Sequence, residues 1–161
     1  METGATTTVG STDGYLATPE KGAGPAVLVI TEPAAADKRR EVCDGLAVEG
    51  FTALAPALRS GHTADDLAAA IELLKPHPAV RGRGIGVVGY AAGADLALWL
   101  AAQHPDDVVA VDICDPALAD PTADQPDWSH LSAPVQTHGD DVEDERLAWI
   151  RTLEFLRKHL G

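Results

Sequence analysis

The chain has 161 residues and a mass of 16.8 kDa, enough for one domain whose core needs no disulfide or metal staple. Apolar residues make up 45%, and 12 Lys and Arg stand against 25 Asp and Glu, a formal net charge of −13. That balance argues against nucleic acid or an anionic membrane as partner. No run approaches the ~18 apolar residues of a membrane span, and Met1 to Gly10 lacks the basic and apolar regions of a signal peptide, so the expectation is a cytoplasmic, unprocessed protein.

Thr6–Val9 and Gly14–Ala17 read as short strands around a turn at Ser11-Thr12-Asp13, and Pro19–Pro25 as a loop. The continuous apolar run Ala26–Ile30 is the pattern of a strand buried on both faces. From about Asp37 to Glu49, Val42, Cys43, Leu46 and Ala47 recur at helical spacing, and Gly50 stands where a helix stops. Phe51–Leu54 reads as the next strand. After the loop Ala57–His62 a helix is expected from Thr63, its N-cap, to about Lys75, with Asp65 and Asp66 favourable in its first turn. Ile85–Val88 is a glycine-flanked strand, followed by apolar residues at helical spacing as far as His104 and Pro105. Val108–Cys114 is another buried-type strand, Asp115–Ser132 a proline-rich loop, and Ala133–His138 a shorter strand. Glu143–Leu160 closes the chain as a helix, with Leu147, Ile150, Leu153, Phe155 and Leu156 expected inward. Alternating strands and helices with right-handed crossovers give a three-layer α/β sandwich, a mostly parallel twisted sheet with helices on both faces, in a single domain spanning 1–161.

The stretch Gly84–Leu100 (GIGVVGYAAGADLALWL) reads as strand, sharp turn and helix. Gly89-Tyr90-Ala91-Ala92-Gly93 matches the G-x-Nuc-x-G elbow of α/β-hydrolases, in which a Ser or Cys stands at the centre. Here the centre is Ala91, which has no lone pair with which to attack a carbonyl. Gly82-Arg83-Gly84-Ile85-Gly86 enters a strand instead of opening a helix, which is the wrong context for a dinucleotide fingerprint. There is no phosphate loop and no Cys/His cluster with metal-ligand spacing, so neither a metal nor an organic cofactor is expected. Cys43 and Cys114 are too isolated for a disulfide framework and are expected to be buried thiols. Cys114, at a strand end, invites comparison with a relocated nucleophile. Asp112 and Asp115 beside it would raise the thiol pKa, whereas a reactive cysteine needs electropositive surroundings.

Four stretches resemble the dienelactone hydrolase family of α/β-hydrolases: Gly14–Glu20, Val29-Ile30-Thr31-Glu32, Ala55–Arg59, and the elbow with its strand. Ala148–Leu156 is similar to the family's final helix. The resemblance implies an α/β-hydrolase domain and a triad of Cys or Ser, Asp and His. The nucleophile position holds Ala91, the acidic position best matches Asp141 in His138-Gly139-Asp140-Asp141, and the segment carrying one more strand and the histidine loop is missing. Triad hydrolysis in its ordinary form is therefore not expected. In the family the glutamate matching Glu32 lies beside the nucleophile, and the arginine matching Arg59 is associated with a substrate carboxylate.

In such folds ligands bind beyond the carboxyl ends of the strands, where the reading puts Glu32, Arg59, His62, Tyr90, Ala91, Ala92, Asp115, His138 and Asp141. Two functions follow. The first is an enzyme acting on a small carbonyl, lactone or carboxylate compound by acid–base chemistry. Glu32 would be the acid or base, with His138 or His62 and Asp141 in support. The backbone N–H of Ala92 would hold an oxyanion, and Arg59 would anchor an anion. The second is a non-catalytic binding subunit in which the strand 133–138 edge is covered by a second copy or a partner chain. Each residue also has a plainer reading. Glu32 and Asp141 fit helix caps, Arg59 a solvated loop, and His62 and His138 surface or strand-end positions.

Overall fold

The computed structural model describes residues 4–9, 12–31, 36–57, 63–90, 93–114, 135–138 and 145–160. In chain order the elements are β1 (Gly4–Val9), β2 (Thr12–Ala17), β3 (Gly24–Ile30), α1 (Ala36–Val48), β4 (Thr52–Pro56), α2 (Thr63–Leu74), β5 (Val80–Tyr90), α3 (Gly93–Gln103), β6 (Val108–Cys114), β7 (Val135–His138) and α4 (Glu145–Leu160). The strands form one sheet in the order β1-β2-β4-β3-β5-β6-β7. β1 and β2 are antiparallel, β2 joins β4 antiparallel, and every pairing from β4 through β3, β5 and β6 to β7 is parallel.

β3 lies at the centre and shows why its sequence is apolar throughout. Ala26, Leu28 and Ile30 enter the core beneath α2 and α3, while Val27 and Val29 enter the core beneath α1 and α4. Successive strand residues point to opposite faces, so a strand covered on both sides has no position for a polar residue. α2 contributes Leu67, Ala70, Ile71 and Leu74 to the first core, and α3 contributes Ala97, Leu98, Leu100 and Ala101. α1 contributes Val42, Cys43, Leu46 and Ala47 to the second, and α4 contributes Leu153 and Leu156.

Gly50 ends α1 as expected. Its φ is 100°, its N–H donates to the Ala47 carbonyl at 3.0 Å, and the Phe51 N–H donates to the Leu46 carbonyl at 3.0 Å. This pair of bonds is the Schellman termination, and its accompanying apolar contact joins Phe51 and Leu46, both in the core. The Gly50 carbonyl lies so near Gly24 that an added Cβ there would collide with it. A glycine at the foot of β3 is therefore a packing requirement.

Several expected boundaries shift. β5 is longer than Ile85–Val88: Val80 and Arg81 pair with Gly24 and Pro25, and the ladder resumes at Ile85 opposite Ala26. The intervening residues form an irregularity in which Gly82 takes φ 92°, a conformation that glycine adopts without strain. Thr12 and Asp13, expected in the hairpin turn, are paired strand residues opposite Val9 and Thr8. β4 begins at Thr52, one residue later than expected, and Phe51 serves the core. Residues 133–134 and 143–144, expected to begin β7 and α4, lie outside the described residues, as does Leu147's side chain.

Ile150, expected inward, is 43% exposed. The buried stripe of α4 runs through Trp149, Leu153, Leu156 and Leu160, and Ile150 stands about 100° round the helix from Trp149. Trp149 takes the inner place because α1 offers it a glycine: a Cβ on Gly45 would lie 3.1 Å from the indole. Cys43 is buried as expected. Among the described residues, no helix is long and apolar enough to cross a membrane.

Candidate active site

The parallel strands end at nearly one level. Ile30 of β3 is opposite Gly89 of β5, Tyr90 of β5 is opposite Cys114 of β6, and Cys114 is opposite His138 of β7. β5 stops at Tyr90 and α3 begins at Gly93. Only Ala91 and Ala92 stand between them in the chain, so the strand and the helix fall where the glycine spacing predicts them. The first turn of a helix leaves backbone N–H groups unpaired within the helix, and α3 starts at the middle of the sheet, among the strand ends.

Of the residues expected at the site, Tyr90 and His138 belong to described elements. Tyr90 is half-buried and packs against the core beneath α1 and α4. His138 is the last residue of β7. Glu32, Arg59, His62, Ala91, Ala92, Asp115 and Asp141 lie outside the described residues. In chain order each belongs to a stretch that leaves the carboxyl end of a parallel strand: 32–35 after β3, 58–62 after β4, 91–92 after β5, 115–134 after β6 and 139–144 after β7. Thr31, which precedes Glu32, is buried.

Two polar groupings beside this end of the sheet escaped the sequence reading. In the first, Asp112 is fully buried in β6, and the Gln136 side-chain amide of β7 donates to its Oδ1 at 3.3 Å and to the Arg151 carbonyl of α4 at 3.2 Å. Gln136 thus ties the short strand β7 to both β6 and the helix above it. A lone aspartate inside the apolar run VVAVDIC was the signal, because a carboxylate is buried only where polar partners meet it.

The second grouping joins β2 to α1. The Tyr15 hydroxyl donates to Asp44 Oδ1 at 2.6 Å, and the Arg40 guanidinium lies 5.7 Å from the ring centroid, within cation–π range. Burial, reinforced by the hydrogen bond to Asp44 and its negative charge, pushes the Tyr15 pKa up to about 12. Cys43 beside it is pushed well above the ordinary thiol range, chiefly by burial and then by the Asp44 charge. It is a protonated, inert core thiol.

The order of the sheet and its helical cover define an α/β-hydrolase-like fold. Structures of similar fold include a dienelactone hydrolase-like promiscuous phosphotriesterase from metagenomic libraries, at a TM-score of 0.73, 19% identity and coverage of 100% of this chain and 99% of that one. A dienelactone hydrolase from Anabaena variabilis ATCC 29413 follows, at a TM-score of 0.68, 17% identity, and 100% and 99% coverage. In sequence, the dienelactone hydrolase family matches residues 12–66, and the BAAT / acyl-CoA thioester hydrolase C-terminal family matches residues 67–123. A protein from Aquifex aeolicus (strain VF5), provisionally named a carboxymethylenebutenolidase, is 33% identical over 123 residues, covering 60% of this chain and 53% of that protein. Protein usf from Aquifex pyrophilus is 28% identical over 148 residues, covering 76% and 62%. The chain is thus similar to dienelactone hydrolases in fold and, over residues 12–66, in sequence, and it spans a little over half the length of these curated relatives.

Proposed function

We propose that the chain is a small-molecule enzyme of the hydrolase type, acting on a small carbonyl, lactone or carboxylate compound in the crevice beyond the strand ends, without a nucleophile at the elbow. The observation that carries this reading is the two-residue join between Tyr90 and Gly93 at the centre of the sheet. The elbow pattern stands between β5 and α3 in the chain, and its central residue is Ala91. Backbone N–H groups at such a helix start, including that of Ala92, stabilise a developing oxyanion or a carboxylate. Glu32 serves as acid or base, His138 supports proton transfer, and Arg59 anchors the anion as a planar bidentate donor. The reaction is an isomerisation, cyclisation, elimination or water-activated hydrolysis.

A thermal-shift screen of the wild type and Arg59→Ala against small lactones, β-keto acids, enol acids and aromatic carboxylates tests this reading. A ligand at 100 times its Kd stabilises by about 2.7 kcal/mol, which for a domain of this size is a shift of several degrees. The expected result is a hit that Arg59→Ala loses, followed by turnover that Glu32→Gln abolishes with the fold intact. Full activity in Glu32→Gln overturns the assigned chemistry.

A second reading, a binding subunit, draws on β7, which among the described residues ends the sheet and pairs only with β6. Silence across the ligand panel, with a melting temperature that rises with protein concentration, would favour it.

A further inference from the structure

Val88, Asp112 and Gln136 are in register across β5, β6 and β7, and Val88 belongs to the core beneath α1 and α4. Asp112 is fully buried in this row. The Gln136 Nε2 carries two hydrogens, and its two partners stand on different elements: Asp112 Oδ1 of β6 at 3.3 Å and the Arg151 carbonyl of α4 at 3.2 Å. The sense of the amide is fixed by these partners, because its oxygen turned the other way would face oxygen atoms that only accept. A helical carbonyl already takes the N–H four residues on, and the second lone pair of the Arg151 carbonyl is the one left for Gln136.

β7 and α4 are attached to the sheet in different ways. Among the described residues β7 is the four-residue strand Val135–His138, and it pairs with β6 alone. α4 is held by apolar packing through Trp149, Leu153, Leu156 and Leu160, the last two seated over Gly86. We infer that Asp112, Gln136 and the Arg151 carbonyl form a polar latch that couples the short strand to the helix, so that β7 and α4 open as one unit. The latch stands independently of the chemistry proposed for the crevice.

The coupling follows from what each separation leaves behind. If β7 leaves while α4 stays docked, the Asp112 carboxylate loses the Gln136 amide on the face that α4 covers, and a buried carboxylate without that partner is costly. If α4 lifts while β7 stays, Gln136 loses one of its two acceptors, water reaches the carboxylate and competes for the other, and the strand keeps only its ladder to β6. Each opening therefore makes the other easier. In chain order β7 lies between the stretches 115–134 and 139–144, so the latch makes the anchoring of both stretches on the sheet depend on the docking of α4.

The test is amide hydrogen exchange of the full chain, read on peptides from β7 and α4, with peptides from β3 and α2 as references, because exchange reports local opening element by element. Gln136→Met keeps the length of the side chain and removes both donors. In this variant β7 and α4 are expected to exchange about tenfold faster, by the same factor, while β3 and α2 keep their wild-type rates. Asp112→Asn retains an acceptor oxygen and is expected to stay within about twofold of the wild type. Gln136→Asn, one methylene shorter, keeps the amide but does not span both acceptors, and it gives the same reading if Gln136→Met fails to fold. Acceleration of β7 without α4 overturns the coupling, as does an equal acceleration of every element, which would mark a loss of global stability alone. Wild-type rates in the folded Gln136 variants overturn the latch itself.

Discussion

The two faces of the sheet are built differently. Beneath α2 and α3 the core is made of large branched side chains, with Leu28, Ile30, Leu54, Leu67, Ile71, Leu74 and Leu100 all fully buried. Beneath α1 and α4 valines, alanines and a buried thiol from the sheet and α1 meet Leu46, Phe51, Leu153 and Leu156, and glycines admit the helix side chains closely. A Cβ on Gly86 would lie 2.9 Å from a methyl group of Leu156 and of Leu160, and one on Gly45 would crowd Trp149. This face also carries the polar ties, Tyr15 to Asp44 and Gln136 to Asp112. One side of the sheet is stabilised by apolar volume. The other combines close approach at glycines with specific bonds.

That contrast can be broken by substitution, and the largest effect belongs to the apolar face. Leu28→Ala should cost about 4 kcal/mol, because the cavity opens at the centre of the sheet where neighbours cannot collapse into it. Urea unfolding reads the loss, and a cost under about 2 kcal/mol would mean that this face is more plastic than its packing indicates. On the other face, adding volume is what hurts. Gly86→Ala should cost about 1–2 kcal/mol, since the leucine methyl groups of α4 can retreat only part of the way.

Tyr15→Phe should cost about 1 kcal/mol at neutral pH by removing the hydrogen bond to Asp44. Its pH dependence sharpens the test. The folded state raises the tyrosine pKa to about 12 from the model-peptide value of 10.0, so folding favours the protonated ring. This contribution is fully present below about pH 10 and is lost as pH rises towards 12. The deficit of the phenylalanine variant should therefore shrink across that interval, as urea titrations at pH 8 and near pH 11.5 would show. The smallest effect is expected at the pair between Arg157 of α4 and Glu49, just past α1, at 2.7 Å with side chains 53% and 36% exposed. Arg157→Ala should change stability by less than about 0.5 kcal/mol, and salt should diminish even that.

The strands and helices were legible because their patterns are local. β6 matches the expected range from Val108 to Cys114, and Gly50 ends α1 where a stop was expected. The errors occurred where a partner decides. Thr12 and Asp13 look like turn residues, yet opposite Val9 and Thr8 they extend a hairpin. Ile150 is as apolar as Leu153, yet the helix turns Trp149 inward against Gly45. The site was legible as a set of residues expected after the strand ends, a consequence of chain order in a parallel sheet. Which of them stand side by side was not.

The sequence by itself determined the class of fold, the elbow pattern with alanine at its centre and the acidic surface, because hydrophobic period, glycine spacing and composition are properties of neighbours along the chain. Only the tertiary structure decided that Cys114 and His138 share a register, that Asp112 is engaged by Gln136, and that glycines of one face meet the side chains of α4. Those relations join residues far apart in sequence. They are fixed by the pairing of β6 with β7 and by the helices that pack across them.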